Sequence, residues 1–164
     1  MASSVLDSLV QSAVVSVLQG SADAFATSQL ATGISTAARY GWMIQSIDFA
    51  WSAGIVATPQ TADADAIIQI TQGSTKAALV SPVDVDLVAE WRQCFPGIAA
   101  AVNAYQLPIQ FRWQAPENLV IVDPVLNLLV DSTLTGVANT GYAKIWYYPV
   151  PISELDILRM IALR

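Results

Sequence analysis

Histidine is absent from the 164 residues, and cysteine occurs once. Without histidine no side chain ordinarily exchanges a proton near neutral pH. That removes Ser-His-Asp and Cys-His nucleophile systems and deprives general acid-base chemistry of its commonest agent. A single thiol forms no intrachain disulfide, and without histidine a structural zinc site lacks ligands. Cys94 stands in the apolar context WRQCF, where a buried and inert thiol is expected. Charge is scarce too: 12% of residues are charged, against about 25% in an average soluble domain. Hydrophobic residues make up 54%. A lone monomer stays dispersed through its charged surface, so other chains are expected to cover much of this protein's exterior. The alternative is a neutral Ser/Thr/Gln/Asn surface.

The net charge is −6, and the seven basic residues (Arg39, Lys76, Arg92, Arg112, Lys144, Arg159, Arg164) are scattered singly. Contact with a phosphate backbone needs clustered Lys and Arg, so no broad direct nucleic-acid contact is expected, and no polybasic membrane anchor either. No Lys or Arg precedes Arg39, so the first apolar residues lack the positive start of a secretory signal peptide. The longest uncharged interval, Gln93 to Phe111, is interrupted by Pro96, Gly97, Asn103 and Pro108, too often for a membrane-spanning helix. Two Asp-x-Asp pairs, Asp63 with Asp65 and Asp84 with Asp86, offer oxygen ligands but lack the turn glycine and terminal acid of an EF-hand loop. The segment QGSTK (Gln72 to Lys76) lacks the glycine and lysine order of a phosphate loop. No catalytic residue, metal site or cofactor is expected, and the chain is not expected to be an enzyme.

Strand-forming residues fill much of what remains. Leu119 to Val150 forms two apolar blocks rich in Val, Ile, Leu, Trp and Tyr, joined by a segment in which Gly136, Asn139 and Gly141 tolerate positive φ. A β-hairpin or a sheet-crossing arch is expected there. In LPIQFRWQ, Leu107, Ile109, Phe111 and Trp113 alternate with polar residues and Pro108, the pattern of a half-buried strand whose proline sits at its start or on a sheet edge. Residues 40–51 carry apolar side chains on both parities, as where a strand is covered twice or bulges and switches face. AIIQIT (Ala66 to Thr71), the turn QGST and KAALV (Lys76 to Val80) suggest a second hairpin.

Other stretches suggest helix. Apolar residues from Val5 to Leu18 recur at helical spacing over residues 3–19, with Ser3 or Ser4 as cap and Gly20 as stop. Residues 21–38 suggest an extended arm. Leu87, Val88, Trp91, Cys94 and Phe95 predict a short helix over Pro82 to Phe95 with Asp84 and Asp86 in its first turn, and Ile152 to Ile161 predicts a helix or a last strand. The expected architecture is mainly β: a single jelly-roll antiparallel β-sandwich over residues 39–164, preceded by an N-terminal helix and arm over 1–38, with one or two short helices. Trp42, Trp51, Trp113, Trp146 and Tyr148 are the candidate core or interface anchors.

The Ala/Ser/Thr-rich N-terminal arm, the low charge and the block LVIVDPVLNLLVDSTLTGVANTGYAKIWYYPVPIS resemble the small capsid proteins of icosahedral viruses and phages. The resemblance implies a structural subunit that self-assembles with copies of itself and other capsid subunits, located in the virion after synthesis in a host cytoplasm. The missing basic arm departs from many such proteins and fits a shell that encloses a membrane or an inner protein layer. A carbohydrate-binding β-sandwich using exposed Trp and Tyr is the alternative from another class.

Overall fold

Burial alternates along residues 12–19 and 139–147, the period of a strand with one face on a core, while residues 66–71 and 126–130 are buried on both faces. The strands are β1 (Gln11–Gln19), β2 (Ala26–Ala31), β3 (Tyr40–Trp51), β4 (Val56–Ala57), β5 (Ala64–Gln72), β6 (Leu87–Phe95), β7 (Tyr105–Gln106), β8 (Gln110–Gln114), β9 (Val120–Ile121), β10 (Val125–Ser132) and β11 (Asn139–Pro151). This computed structural model describes residues 9–20, 24–35, 40–52, 56–57, 63–95, 105–106, 110–117, 119–133, 139–153 and 155.

The pairs β5/β6, β3/β8, β2/β10 and β1/β11 are all antiparallel. Together they make one long hairpin whose midpoint lies between β5 and β6. The hairpin is rolled so that β11 also pairs with β3 and β10 with β5. Two sheets result, ordered β1-β11-β3-β8 and β2-β10-β5-β6, and this order is a jelly roll. Strand β9 adds to β3, while β4 and β7 form a separate short ladder.

The core lies between the sheets. Ile47, Phe49 and Ile145 from the first sheet and Ile68, Ile70, Leu126, Leu128 and Val130 from the second have no exposed surface. Each side chain withdrawn this way contributes about 1.5–3 kcal/mol. Trp42 stacks on Tyr147 with ring centroids 3.8 Å apart. At the other end of the sheet, Trp91 of β6 stacks on Phe111 of β8 at 6.0 Å, joining the two sheets where β8 ends one of them. Gln19 donates to the Ser132 carbonyl at 2.9 Å, a polar tie between β1 and β10 in a buried position.

Several expectations need correction, and two share a physical cause. The helix expected over Pro82 to Phe95 is strand β6, in which a register shift opposite Ile70 and Thr71 inserts Val88 as an extra residue. That bulge puts buried Val88 and Trp91 three apart, which imitates helical spacing. A register shift in the β3–β11 ladder does the same between Ile44 and Ile47, and it accounts for the apolar residues on both parities of β3. The helix expected over residues 3–19 is strand β1 within the described part. Its Val-rich sequence fits either period, and pairing with β11 along its whole length decides for the strand. The expected arm contributes β2, paired with β10.

The Ala66–Thr71 strand is present, but its partner is β6; Lys76 to Val80 lies in the connecting loop. Leu119 to Val150 is an arch, since β10 and β11 lie in different sheets. Its 134–138 segment falls outside the described residues, as do Leu107 to Ile109 and nearly all of the final expected helix. Cys94 is exposed, not buried. It faces Asp65 across the ladder, and a hydrogen bond with that carboxylate pushes the thiol pKa up, so the sulfur stays protonated.

Where the sheets approach at β11, a Cβ on Gly141 would lie 2.8 Å from Val130 Cγ1 and 3.2 Å from its Cγ2. Val130 is fully buried and has no room to retreat. Gly141→Ala is therefore expected to destabilise the fold by about 1–3 kcal/mol, read as a lower denaturant midpoint with an unchanged slope.

Candidate functional site

Each sheet has an outer face, and the two are treated differently. Outward residues of the β2-β10-β5-β6 sheet include Gln69, Thr71, Asn127 and Leu129, and all four are fully buried. The β5–β6 loop, residues 73–86, covers them. Gln69 fixes it by donating to the Val80 carbonyl at 2.9 Å and accepting from the Val80 amide at 2.9 Å, and it also donates to Glu90 at 2.6 Å. Asn127 donates to the carbonyls of Gly73 and Ser74, each at 3.3 Å. Gly73 opens the loop with φ 86, a conformation suited to glycine. Lys76 and Asp86 pair within the loop, and the Asp86 amide donates to Asp84 Oδ1 at 2.8 Å. These two acids, expected in a helix's first turn, instead shape the turn that leads into β6.

No described segment covers the outer face of the β1-β11-β3-β8 sheet. The registers place Val14, Lys144, Asp48 and Arg112 in one row across four strands. Ser12, Trp146, Ser46 and Gln114 form the next row, and Ser16, Tyr142, Ala50 and Gln110 the row on the other side. Asp48 is the hub. It accepts from Arg112 Nε at 2.5 Å and Nη2 at 2.9 Å, and from the Trp146 indole at 2.7 Å. Lys144 Nζ lies 4.0 Å from the centre of the Trp146 ring, a cation–π contact that occupies that face of the indole.

The Arg112 hydrogen bonds hold the Asp48 carboxyl below its ordinary value. Partial burial opposes this, while the Trp146 bond and the charges of Arg112 and Lys144 reinforce it. The same contact raises Arg112. Asp48 is thus an anion at neutral pH whose oxygens are already engaged, suited to fixing side chains in place and unsuited to moving protons. Two shallow troughs flank the cluster. One, of about 460 Å³, is lined by Val14, Phe111, Tyr142 and Lys144 among others; the second, of about 340 Å³, is lined by Val10, Gln45 and Trp146 among others, and Arg112 borders both. The rim is apolar: Val14 is 59% and Leu18 61% exposed, and Val10 and Tyr142 are exposed as well. Such an arrangement offers a contact surface with a fixed floor in which Asp48 offsets Arg112 and Lys144 leaves one positive charge over.

The sequence-derived anchors divide between two places. Trp42 and Trp51 are core residues, Trp113 is partly buried against the core, Trp146 lies on the open face, and Tyr148 is half-buried near the end of β11. Sequence reasoning missed Asp48, Arg112 and the exposed Val14 and Leu18. The available signal was a lone charge of opposite sign in each of two aromatic-rich strands, DFAW and FRWQ, but only the register brings the two charges together. Among the described residues no three Cys, Asp or Glu side chains gather as a metal site.

No protein-family model matches the chain, and no curated protein does. Solved structures similar to it include that of tomato aspermy virus, at 9% identity and TM-score 0.47, covering 87% of this chain and 79% of the other. Desmodium yellow mottle tymovirus follows at 13% identity and TM-score 0.38, covering 87% and 89%. Turnip yellow mosaic virus matches at 11% identity and TM-score 0.38, covering 87% and 94%. The jelly roll described above is defined by its own strand order, independently of these likenesses.

Because the folded-state pKa of Asp48 is depressed, its ionic contribution to stability is fully present above the ordinary carboxylate pKa. It is lost as pH falls through the lower folded value. Asp48→Asn is expected to cost on the order of 1 kcal/mol at pH 7, an amount limited by the exposure of Arg112, and to flatten the acid limb of stability between about pH 5 and 2. Denaturant titrations across that pH range check both effects.

Proposed function

We propose that this chain is a structural capsid protein whose work is assembly: copies of it, together with other capsid subunits, build the icosahedral shell of a virion. The observation that carries the reading is the contrast between the two outer faces. One sheet is covered by the protein's own loop, tied down by buried Gln69 and Asn127. The other presents Val14, Leu18 and Tyr142 to solvent on a chain with only 12% charged residues. Burying that apolar rim against neighbours is favourable at about 25 cal/mol per Å², and jelly rolls are a recurrent architecture of viral capsids. Fold alone assigns no function; the uncovered face and the charge deficit supply the argument.

The polar groups on the face support a structural role over a catalytic one, because Asp48 is held ionised and both its oxygens are engaged by Arg112 and Trp146. A carbohydrate-binding role is less well supported. A sugar platform needs an open aromatic face, and Lys144 already sits over Trp146. Each described cation has a partner: Lys76 with Asp86, Arg92 with Glu90 at 3.8 Å, Arg112 with Asp48, and Lys144 with Trp146. This supports a shell that makes no broad nucleic-acid contact through these residues and faces a membrane or an inner protein layer.

Electron microscopy and light scattering of the purified protein test the proposal. Closed particles are expected for the native chain. Tyr142→Lys, which adds a like charge beside Lys144 on an exposed position, is expected to leave a folded chain that no longer assembles. A native protein that stays monomeric across the micromolar range would overturn the reading.

A further inference from the structure

Among the described strands β1 ends its sheet and pairs with β11 alone, so every second N–H and C=O along it points away from the sheet. Natural sheet edges are blunted by charge, proline, a bulge or short length. Among the other described edges, β8 has five residues and carries Arg112. Strand β6 carries Glu90 and Arg92, and β2 has six residues with no exposed large apolar side chain. Strand β1 has none of these protections. Its nine residues include no charge, proline or glycine, and its ladder shows no bulge.

The outward side chains along this edge are Val10, Ser12, Val14, Ser16 and Leu18, an order of apolar and serine positions that is the same from either end. The three apolar ones are 40%, 59% and 61% exposed. We infer that β1 pairs antiparallel with β1 of a second copy about a two-fold axis through Val14, joining two sheets into one across the contact. In that register Val14 meets its own counterpart, Val10 meets Leu18, and Ser12 meets Ser16, while Ala13 meets Val15 on the inner face. Sliding either way by the smallest step that keeps the faces matched sets apolar residues against serines.

The absence of charge from β1 allows the contact even though each chain carries −6. The nearest charges in the central row are the two Lys144 side chains, separated by three strand spacings or roughly 14 Å. That exceeds the screening length of about 8–10 Å in physiological salt. A single strand pair is small beside the roughly 1,000 Å² of a stable two-body interface. This suits a contact repeated within a closed assembly, and in this respect the inference rests on the capsid reading.

Cysteine cross-linking tests it on the full-length chain in a Cys94→Ser background, with oxidised glutathione as the oxidant. Cα separations across an antiparallel pair, about 4.5–5.5 Å, fall within disulfide range. Val14→Cys alone is expected to give a disulfide dimer. Val10→Cys mixed with Leu18→Cys is expected to cross-link at least about tenfold faster than either alone, because only the mixture places two thiols opposite each other. No Val14→Cys dimer, or equal rates for the mixture and the single variants, would overturn the pairing. Particles without cross-linking would overturn the pairing and leave the capsid reading standing. Cross-linked dimers without particles would support the pairing and count against the capsid reading.

Discussion

Strand β11 lies between β1 and β3, pairing with β1 over residues 139–147 and with β3 over residues 141–151, and the rest of the molecule depends on that placement. It closes the roll by bringing the last described strand beside the first. It also turns Ile145 and Tyr147 into the core while Tyr142, Lys144 and Trp146 face outward. Gly141 lets its start pass close to Val130 of the opposite sheet. The bulge opposite Trp146 and Tyr147 realigns β3 so that Trp42 and Ile44 stay buried alongside Ile47 and Phe49. The row that holds Asp48 against Arg112 follows from this registration.

Much of this was legible in the sequence, and the failures have identifiable causes. The apolar blocks flanking Gly136, the alternation in FRWQ and the scarcity of charge point to a mainly β sandwich, and the two sheets show one. Bulges defeated the period-based reading at Leu87 to Phe95, because an inserted residue changes a spacing of two into three. Strand β1 was misassigned for a related reason: a Val-rich run with apolar residues on both faces matches either period, and only its partner distinguishes them. The second hairpin failed because strand pairing is non-local. Ala66 to Thr71 pairs beyond a loop of residues 73–86 that folds over the sheet.

The candidate surface was the least legible part. Trp146 was singled out for its aromatic neighbours, yet its position is set by Asp48, 98 residues away in sequence. Cys94 was expected inside because its neighbours are apolar, but its place in the β6 ladder turns it outward beside Asp65. Local composition indicates what a segment tolerates; the register decides which of its faces meets water.

The proposal turns on the outer face of the β1-β11-β3-β8 sheet, which the described residues leave open and which assembly is proposed to cover. Hydroxyl-radical footprinting of assembled particles against dissociated subunits tests it most directly. Oxidation of Tyr142, Trp146 and Leu18 is predicted to fall several-fold on assembly, whereas equal oxidation of these residues in both states would contradict the account.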